Sequence, residues 1–471
     1  MHDLKSMSAL SARRPIFGLA VIGLGASLPP LDLAVNVAFP AITAAFELQT
    51  QSIRWVVAAY VVMYASLMLA FGRLGDIVGY RRIFRAGLVL GAVAFVLCGL
   101  APNYDWLLAA RMLQGIAAAL LLSCAPALAT SLFDEGRRLW VLGAFASMAA
   151  TAGLLAPLLG GVSIAAFGWS GVFWFRVPIA LLALLFLRLL PDLPPAHPTE
   201  PRKFDLAGSV LLAAGIASLL LAVTLVQSAD NSWQVPLVAV AGVTLLAGFA
   251  RRQRSVEHPF LPSAIVRDPA FALRNLASIS VHLAGFTVPL LVPYFLARIL
   301  AYGPTQSGAV LTSWPLGMLI GSALATPTVR RLGSGPTALI GGALVATGLF
   351  TIGHWPAGAT PLLMLPGLML HGAGIGLFQV AYTDIIIATL PRSDRGVAGS
   401  LTILTRTIGI VLGATCLSAL FHYTKARYLA DGLAPPDAFL AGFQSVYLYV
   451  AIAFTMLFAL VSMRRGLWTA G

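Results

Sequence analysis

Charge is what this chain has least of. Only 10% of its 471 residues are charged, and the acidic ones are scarcest, 17 against 30 Lys and Arg. A soluble domain carries about 25%, so the chain cannot cover a water-facing surface. Cysteine is equally thin. Cys98, Cys124 and Cys416 each lie in an apolar run, lack metal-ligand spacing and are too few for a disulfide framework. They are read as small buried hydrophobes. No phosphate loop, zinc spacing or nucleophile with a partner occurs, which argues against an enzyme, an ATP-driven pump, a cofactor or a bound metal. The G-x-G-x-G of HGAGIGL (371–377) has no strand before it and sits inside an apolar run. The formal charge of +13 is dispersed among short connections, not gathered into one face, which argues against nucleic acid. No sizeable soluble domain is left to relay a signal.

What the chain does hold is apolar length. Hydrophobic residues make up 59% and mean hydropathy is +0.89. A spanning helix needs roughly 20 apolar residues. The pattern predicts an all-α polytopic membrane protein with fourteen spans. They fall near 15–45, 53–72, 83–101, 105–133, 139–166, 170–190, 206–227, 235–250, 272–298, 306–328, 336–354, 360–388, 396–421 and 442–463. The eighth is barely long enough; with the seventh and eighth on the surface the number falls to twelve. The opening MHDLKSMSALSARRP resembles a signal n-region, but no clear small-residue cleavage site follows, so the first run is read as a retained span.

Basic residues orient the spans, because cytoplasmic connections retain Lys and Arg. Of the 30, 23 fall on one side and four on the other (Arg54, Arg298, Lys425, Arg427). Three lie inside predicted spans: Arg111, Arg176 and Arg406. This split predicts an even span number with both termini cytoplasmic.

The chain also looks duplicated. RMLQGIAAAL in the fourth span parallels LMLHGAGIGL in the twelfth, and aligning Gly115 with Gly372 nearly aligns Arg137 with Arg395. The expected organisation is an N-terminal six-helix half (1–191), a Pro-rich cytoplasmic linker (192–205), two inserted helices (206–251) and a C-terminal six-helix half (252–471).

GRLGDIVGYRR (72–82), between the second and third spans, follows G-x-L-x-D-x-x-G-x-R-R. Gly72 and Gly79 permit close backbone approach and a tight turn. Asp76 is placed to meet a helix N-terminus, and Arg81 and Arg82 suit carboxylates or anionic lipid heads. A worn copy, VRRLGSG, follows the tenth span without the Asp. In this loop the sequence resembles the major facilitator superfamily. Three stretches narrow the resemblance to its fourteen-helix drug:proton antiporters. LDLAVNVAFPAI (31–42) resembles the family's L-D-x-T-x-V-N-V-A-L-P, with Ala34 for Thr. Arg111, Gln114 and Gly115 match R-x-x-Q-G. GLLAPLLGG (153–161) resembles the antiporter signature G-x-x-x-G-P-x-x-G-G, with Ala156 before Pro157. GWSGVFWFRVPIA (168–180) also fits, with Arg176 where the family usually has Asn.

The resemblance implies the major facilitator fold, a bacterial plasma-membrane location and proton-coupled export by alternating access; the alternative is proton-coupled or facilitative transport of a specific small metabolite, with a non-transporting receptor behind it. It implies protons, lipid and a small amphiphile as partners, with the monomer sufficient. It implies a cytoplasmic latch of Gly72, Asp76, Gly79, Arg81 and Arg82, with Asp76 against residues 397–400. It also implies a sealing helix marked by Gly153, Pro157, Gly160 and Gly161.

The residues carry their own argument. An ionised side chain at mid-bilayer costs about 2.5–3.5 kcal/mol, so Asp32, Arg111, Arg176, Asp384 and Arg406 together cost on the order of 15 kcal/mol and are functional candidates. Asp32 follows Pro29 and Pro30, which interrupt the helix, and is the first choice for proton or substrate. Arg111 is always charged and tunes a partner acid, with Gln114 one turn along. His371 occupies the repeat position of Gln114 and has a proton-exchanging imidazole. Arg406 resembles an Arg common in that span of the family. Asp384 is read as wetted at the cytoplasmic end, and Arg176 as lying near the outer surface with its side chain reaching for water. With so few membrane acids against three Arg, the cargo is expected to be neutral, zwitterionic or anionic, with Trp314, Phe378 and Tyr382 available to line a cavity.

Overall fold

The computed structural model describes residues 15–134, 137–188, 206–225, 233–253, 268–389, 395–463 and 468. All regular structure among them is helical. In lipid every backbone N–H and C=O needs a partner within its own segment, and the helix supplies it.

α1 is a broken rod. It is helical over 15–26, passes through a 3-10 turn at Pro30–Leu33, and resumes as Ala34–Val37 and Phe39–Ala45. The tandem Pro29 and Pro30 carry no backbone N–H, so the i→i−4 ladder is lost there. There follow α2 (Ile53–Val78), α3 (Tyr80–Gly99), α4 (Tyr104–Thr130) and α5 (Arg138–Phe167). α6 is split into Gly171–Trp174 and Arg176–Leu187. α7 (Leu206–Leu225) and α8 (Gln234–Gln253) form a pair. α9 is split at Phe286 (Pro269–Gly285, Thr287–Arg298) and α10 at Thr312 (Pro304–Leu311, Ser313–Leu332). α11 (Ser334–Gly353), α12 (Pro361–Thr389), α13 (Arg395–Ala430) and α14 (Pro435–Ser462) complete the chain.

Eleven helices among the described residues are long and apolar enough to cross a membrane. Ile53–Val78 is not among them, and Arg176–Leu187 and Ala207–Ala222 are shorter apolar helices. Several rods outrun the sequence expectation. α13 carries Lys425 and Arg427 as helix and ends at Ala430, Gly432 follows at φ +89°, and α14 starts at Pro435. Charged residues need not end a helix whose last turns reach water.

The polar stretch at 72–82 is also corrected. It is not an open loop: α2 continues to Val78 and α3 starts at Tyr80, leaving Gly79 alone between them. Gly79 has φ +99° and ψ +130°, a conformation open to glycine and costly for other residues. Gly333, between α10 and α11, repeats the device at φ +89°.

α7 packs on α2 and α13, and α8 rests on α7. At the ends remote from the basic turns, α1 meets α9, where Tyr294 Oη donates to the Phe39 carbonyl at 3.4 Å. In the same region α5 meets α10.

Candidate functional site

Three elements meet at Asp32, with α2 packed against Arg111. The 3-10 turn at Pro30–Leu33 carries it, with its N–H donated to the Pro29 carbonyl. α4 begins at a capped turn, where the Asn103 side chain accepts from Trp106 N at 2.9 Å. It presents Arg111 and Gln114 one turn apart. A Cβ on Gly115 would collide with the Tyr60 carbonyl, so glycine lets α4 sit directly on α2. That proximity allows Arg111 Nε to donate to the Val56 carbonyl at 3.1 Å and its guanidinium to lie over the Tyr60 ring at 4.5 Å.

Asp32 accepts four hydrogen bonds. Arg111 Nη1 and Nη2 donate to Oδ1 and Oδ2 at 2.7 and 2.9 Å, a bidentate pair. Gln114 Nε2 donates to Oδ1 at 2.7 Å, and Arg176 Nη1 donates to Oδ1 at 2.8 Å. Gln114 Oε1 accepts from Arg111 Nη1 at 2.8 Å. The Arg side chains are 2% and 0% exposed, against 13% for Asp32, so the carboxylate is the accessible face of a buried cluster. One anion between two guanidiniums leaves one net positive charge in the bundle interior.

Arg176 corrects the sequence reading. It does not reach for the outer surface but is wholly buried, donating from Nε to the Val172 carbonyl at 2.9 Å and stacking 4.6 Å from the Phe95 ring. Phe175 keeps a helical backbone (φ −62°, ψ −20°), and around Arg176 an aromatic shell and the Asp32 carboxylate replace water. A signal existed: an obligatory cation amid Phe173, Trp174 and Phe175, in a half with a single membrane acid to pair with. Arg176 Nη2 has no hydrogen-bond partner.

The other predicted residues lie elsewhere. His371, on α12, is fully buried and accepts at Nδ1 from Trp314 Nε1 at 3.0 Å. It is not brought to Asp32. The packing around it repeats that of the first site: a Cβ on Gly372 would collide with the Trp314 carbonyl, as one on Gly115 would with that of Tyr60. Arg406 is exposed on α13 and is not a partner of Asp32. Asp384 accepts from Ser334 Oγ at an exposed helix end. Phe378 is not a cavity wall: it is fully buried among Tyr382, Phe458 and Trp468. Trp314, with Leu33, Asn36, Pro157 and Leu311, lines an apolar cleft beside the Asp32 turn.

Gly153 lies against Leu33, and Gly160 is pressed on Ala34 of α1. A Cβ on Gly161 would collide with the Pro304 carbonyl of α10, and one on Gly308 with the Pro157 carbonyl of α5. The predicted small-residue helix is thus the surface where α5 touches α1 and α10. Of the predicted latch, Gly72 lies within α2, and Arg81 Nη2 donates to the Leu187 carbonyl of α6 at 2.9 Å. Arg81 and Arg82 line a basic cleft with Arg85, Leu187 and Arg188. The side chains of Asp76 and of residues 397–400, and the linker 192–205, lie outside the described residues.

Residues 16–414 match the family model of the Major Facilitator Superfamily. The chain is 32% identical over 456 residues to the puromycin resistance protein pur8 of Streptomyces alboniger, covering 93% of this chain and 88% of that one. It is 26% identical to the multidrug transporter protein MdtP of Bacillus subtilis, covering 81% and 70%. Its fold resembles that of the POT family transporter PepTSo, with TM-score 0.67 and 14% identity over 96% of this chain and 99% of that one. With apolar helices throughout and a family match across most of its length, the chain is an integral membrane transporter and belongs to the Major Facilitator Superfamily.

Proposed function

We propose that this transporter is a proton-coupled exporter of drugs or other small amphiphiles, working by alternating access. The observation that carries the proposal is the ion cluster of Asp32, Arg111 and Arg176 on the broken α1 turn. Neutralising Asp32 there would leave two guanidiniums facing each other with no anion between them. Two unit charges 4 Å apart repel by about 4 kcal/mol at an effective dielectric constant of 20. Proton entry therefore has to accompany separation of α4 from α6, and proton release their return. Coupling the occupancy of one acid to helix position is what an antiporter requires. The drug- and puromycin-resistance relatives support the direction and the amphiphilic cargo. The driving force suffices: about 2.3 kcal/mol per proton per 100 mV, plus about 1.4 per pH unit.

In this reading the chain crosses a bacterial inner membrane fourteen times with both termini cytoplasmic and acts as a monomer. Halves 1–191 and 252–471, joined through 192–205 and the pair at 206–251, rock about the cleft at Asp32. Gly153, Pro157, Gly160 and Gly161 seal the outer side, and Gly72, Asp76, Gly79, Arg81 and Arg82 latch the inner side. His371 and Arg406 belong to the opposing wall.

The test is reconstitution in liposomes with an imposed pH gradient and a panel of dyes, antibiotics and lipophilic acids. Asp32→Asn and Arg111→Ala should each abolish uphill export. Gradient-driven transport that persists unchanged in both variants refutes the assignment.

A further inference from the structure

The basic cleft at the foot of α3 and α6 carries more positive charge than a short turn needs. Arg81, Arg82 and Arg85 occupy the first two turns of α3, and Arg188 is the C-cap of α6. With Leu187 they line a cleft of about 130 Å³. Arg81 is fixed in it by the 2.9 Å bond from Nη2 to the Leu187 carbonyl, which ties α3 to α6. Arg82, Arg85 and Arg188 are exposed. Among the described residues that line the cleft, none is acidic.

Four guanidiniums around one small space repel one another. On α3 they also add to the positive end of the helix dipole, in a first turn with no acid and no side-chain cap. The arrangement becomes favourable when an anion with several acceptor oxygens sits between them, because each guanidinium offers a planar set of donors.

The faces that carry these arginines show what the anion is attached to. Arg85, Val89 and Val93 follow at four-residue spacing on one exposed face of α3. Leu181, Leu185 and Arg188 share an exposed face of α6 in the same way. Val89 and Val93 are 46% and 47% exposed, and Leu181 and Leu185 51% and 56%. Each face passes from bare aliphatic side chains to a guanidinium within about two helical turns. A soluble anion uses only the charged end of that gradient, whereas a phospholipid uses both ends. A choline or ethanolamine head would bring a further cation to four cations.

We propose that this cleft holds the phosphate of an anionic phospholipid, with its chains against Val89, Val93, Leu181 and Leu185. Basic hollows between spanning helices suit such heads. The site belongs to α3 and α6 alone, so it stands apart from proton coupling and from the direction of transport.

Native mass spectrometry of the full chain, delipidated in detergent, counts bound lipids one by one. Phosphatidylglycerol should bind about tenfold more tightly than phosphatidylcholine with the same chains. Arg85→Gln with Arg188→Gln should weaken phosphatidylglycerol by about twenty-five-fold, about fivefold for each guanidinium removed, and leave phosphatidylcholine unchanged. Arg330→Gln with Arg331→Gln removes equal charge from the exposed last turn of α10 and should leave phosphatidylglycerol binding unchanged. An unaltered unfolding midpoint reports an intact fold, and Arg188→Gln alone, worth about fivefold, serves if the double variant does not fold. Equal losses in the two pairs would mean diffuse attraction between a basic surface and any anionic lipid. That result, no loss in either pair, or equal affinity for the two lipids overturns the assignment. So does inorganic phosphate that displaces phosphatidylglycerol at equal concentration, which would give the cleft to a soluble anion.

Discussion

Removing the charge of Asp32 without changing its shape should destabilise the whole bundle, and removing Arg176 as well should restore much of the loss. Asp32→Asn raises the buried cluster from one net positive charge to two, and the asparagine NH2 points a donor where Oδ2 accepted Arg111 Nη2 at 2.9 Å. Breaking a buried pair by deleting one partner costs about 3–5 kcal/mol. Arg176→Met alone removes the 2.8 Å charge-assisted bond to Asp32, worth about 1.5–3 kcal/mol, together with the 2.9 Å bond to the Val172 carbonyl and the stack on Phe95, and leaves the Arg111 bidentate pair and the Gln114 bond in place. In the double variant the methionine fills the aromatic pocket of Phe95 and Phe173, and the cluster returns to one positive charge. The two substitutions should therefore be non-additive by about 2 kcal/mol or more. The assay is thermal or denaturant unfolding of the full chain in one detergent, completed as a double-mutant cycle. Additive effects within about 0.5 kcal/mol would mean that Asp32 and Arg176 do not interact, and the coupling argument would fall with them.

The interlock of α5 and α10 gives a separate expectation. Gly161→Ala or Gly308→Ala places a Cβ against a facing carbonyl, so the two helices cannot close. Turnover in liposomes should fall at least about tenfold, a barrier change near 1.4 kcal/mol, while binding is retained; normal turnover would show the contact to be dispensable. At the α2–α3 turn, Gly79→Ala must adopt φ +99° and should cost about 1–2 kcal/mol of stability. Gly72→Ala, which meets only Ser123 Cβ at 3.9 Å, should cost little. Equal unfolding midpoints for the two variants would contradict the turn geometry.

Apolar run length and the distribution of Lys and Arg carried the all-helical membrane class by themselves, because lipid admits few alternatives. Local motifs carried the grouping of Asp32, Arg111 and Gln114: a proline-broken turn and an Arg one helical turn from a Gln are written in consecutive residues. Helix ends were poorly legible, because charged residues in α2 and α13 extend a helix into water as readily as they end it. The sequence held only a hint that Arg176 turns inward, and tertiary structure decided it, since an Arg beside aromatics suits the interface equally well until the neighbour of α6 is known. It also separated His371 from Asp32 and paired it with Trp314. The hydrogen bonds that tie Asn275 and Ser278 of α9 to Tyr382 of α12 and Thr405 of α13 had no sequence signal, since these residues lie on three helices far apart along the chain and meet only when those helices pack.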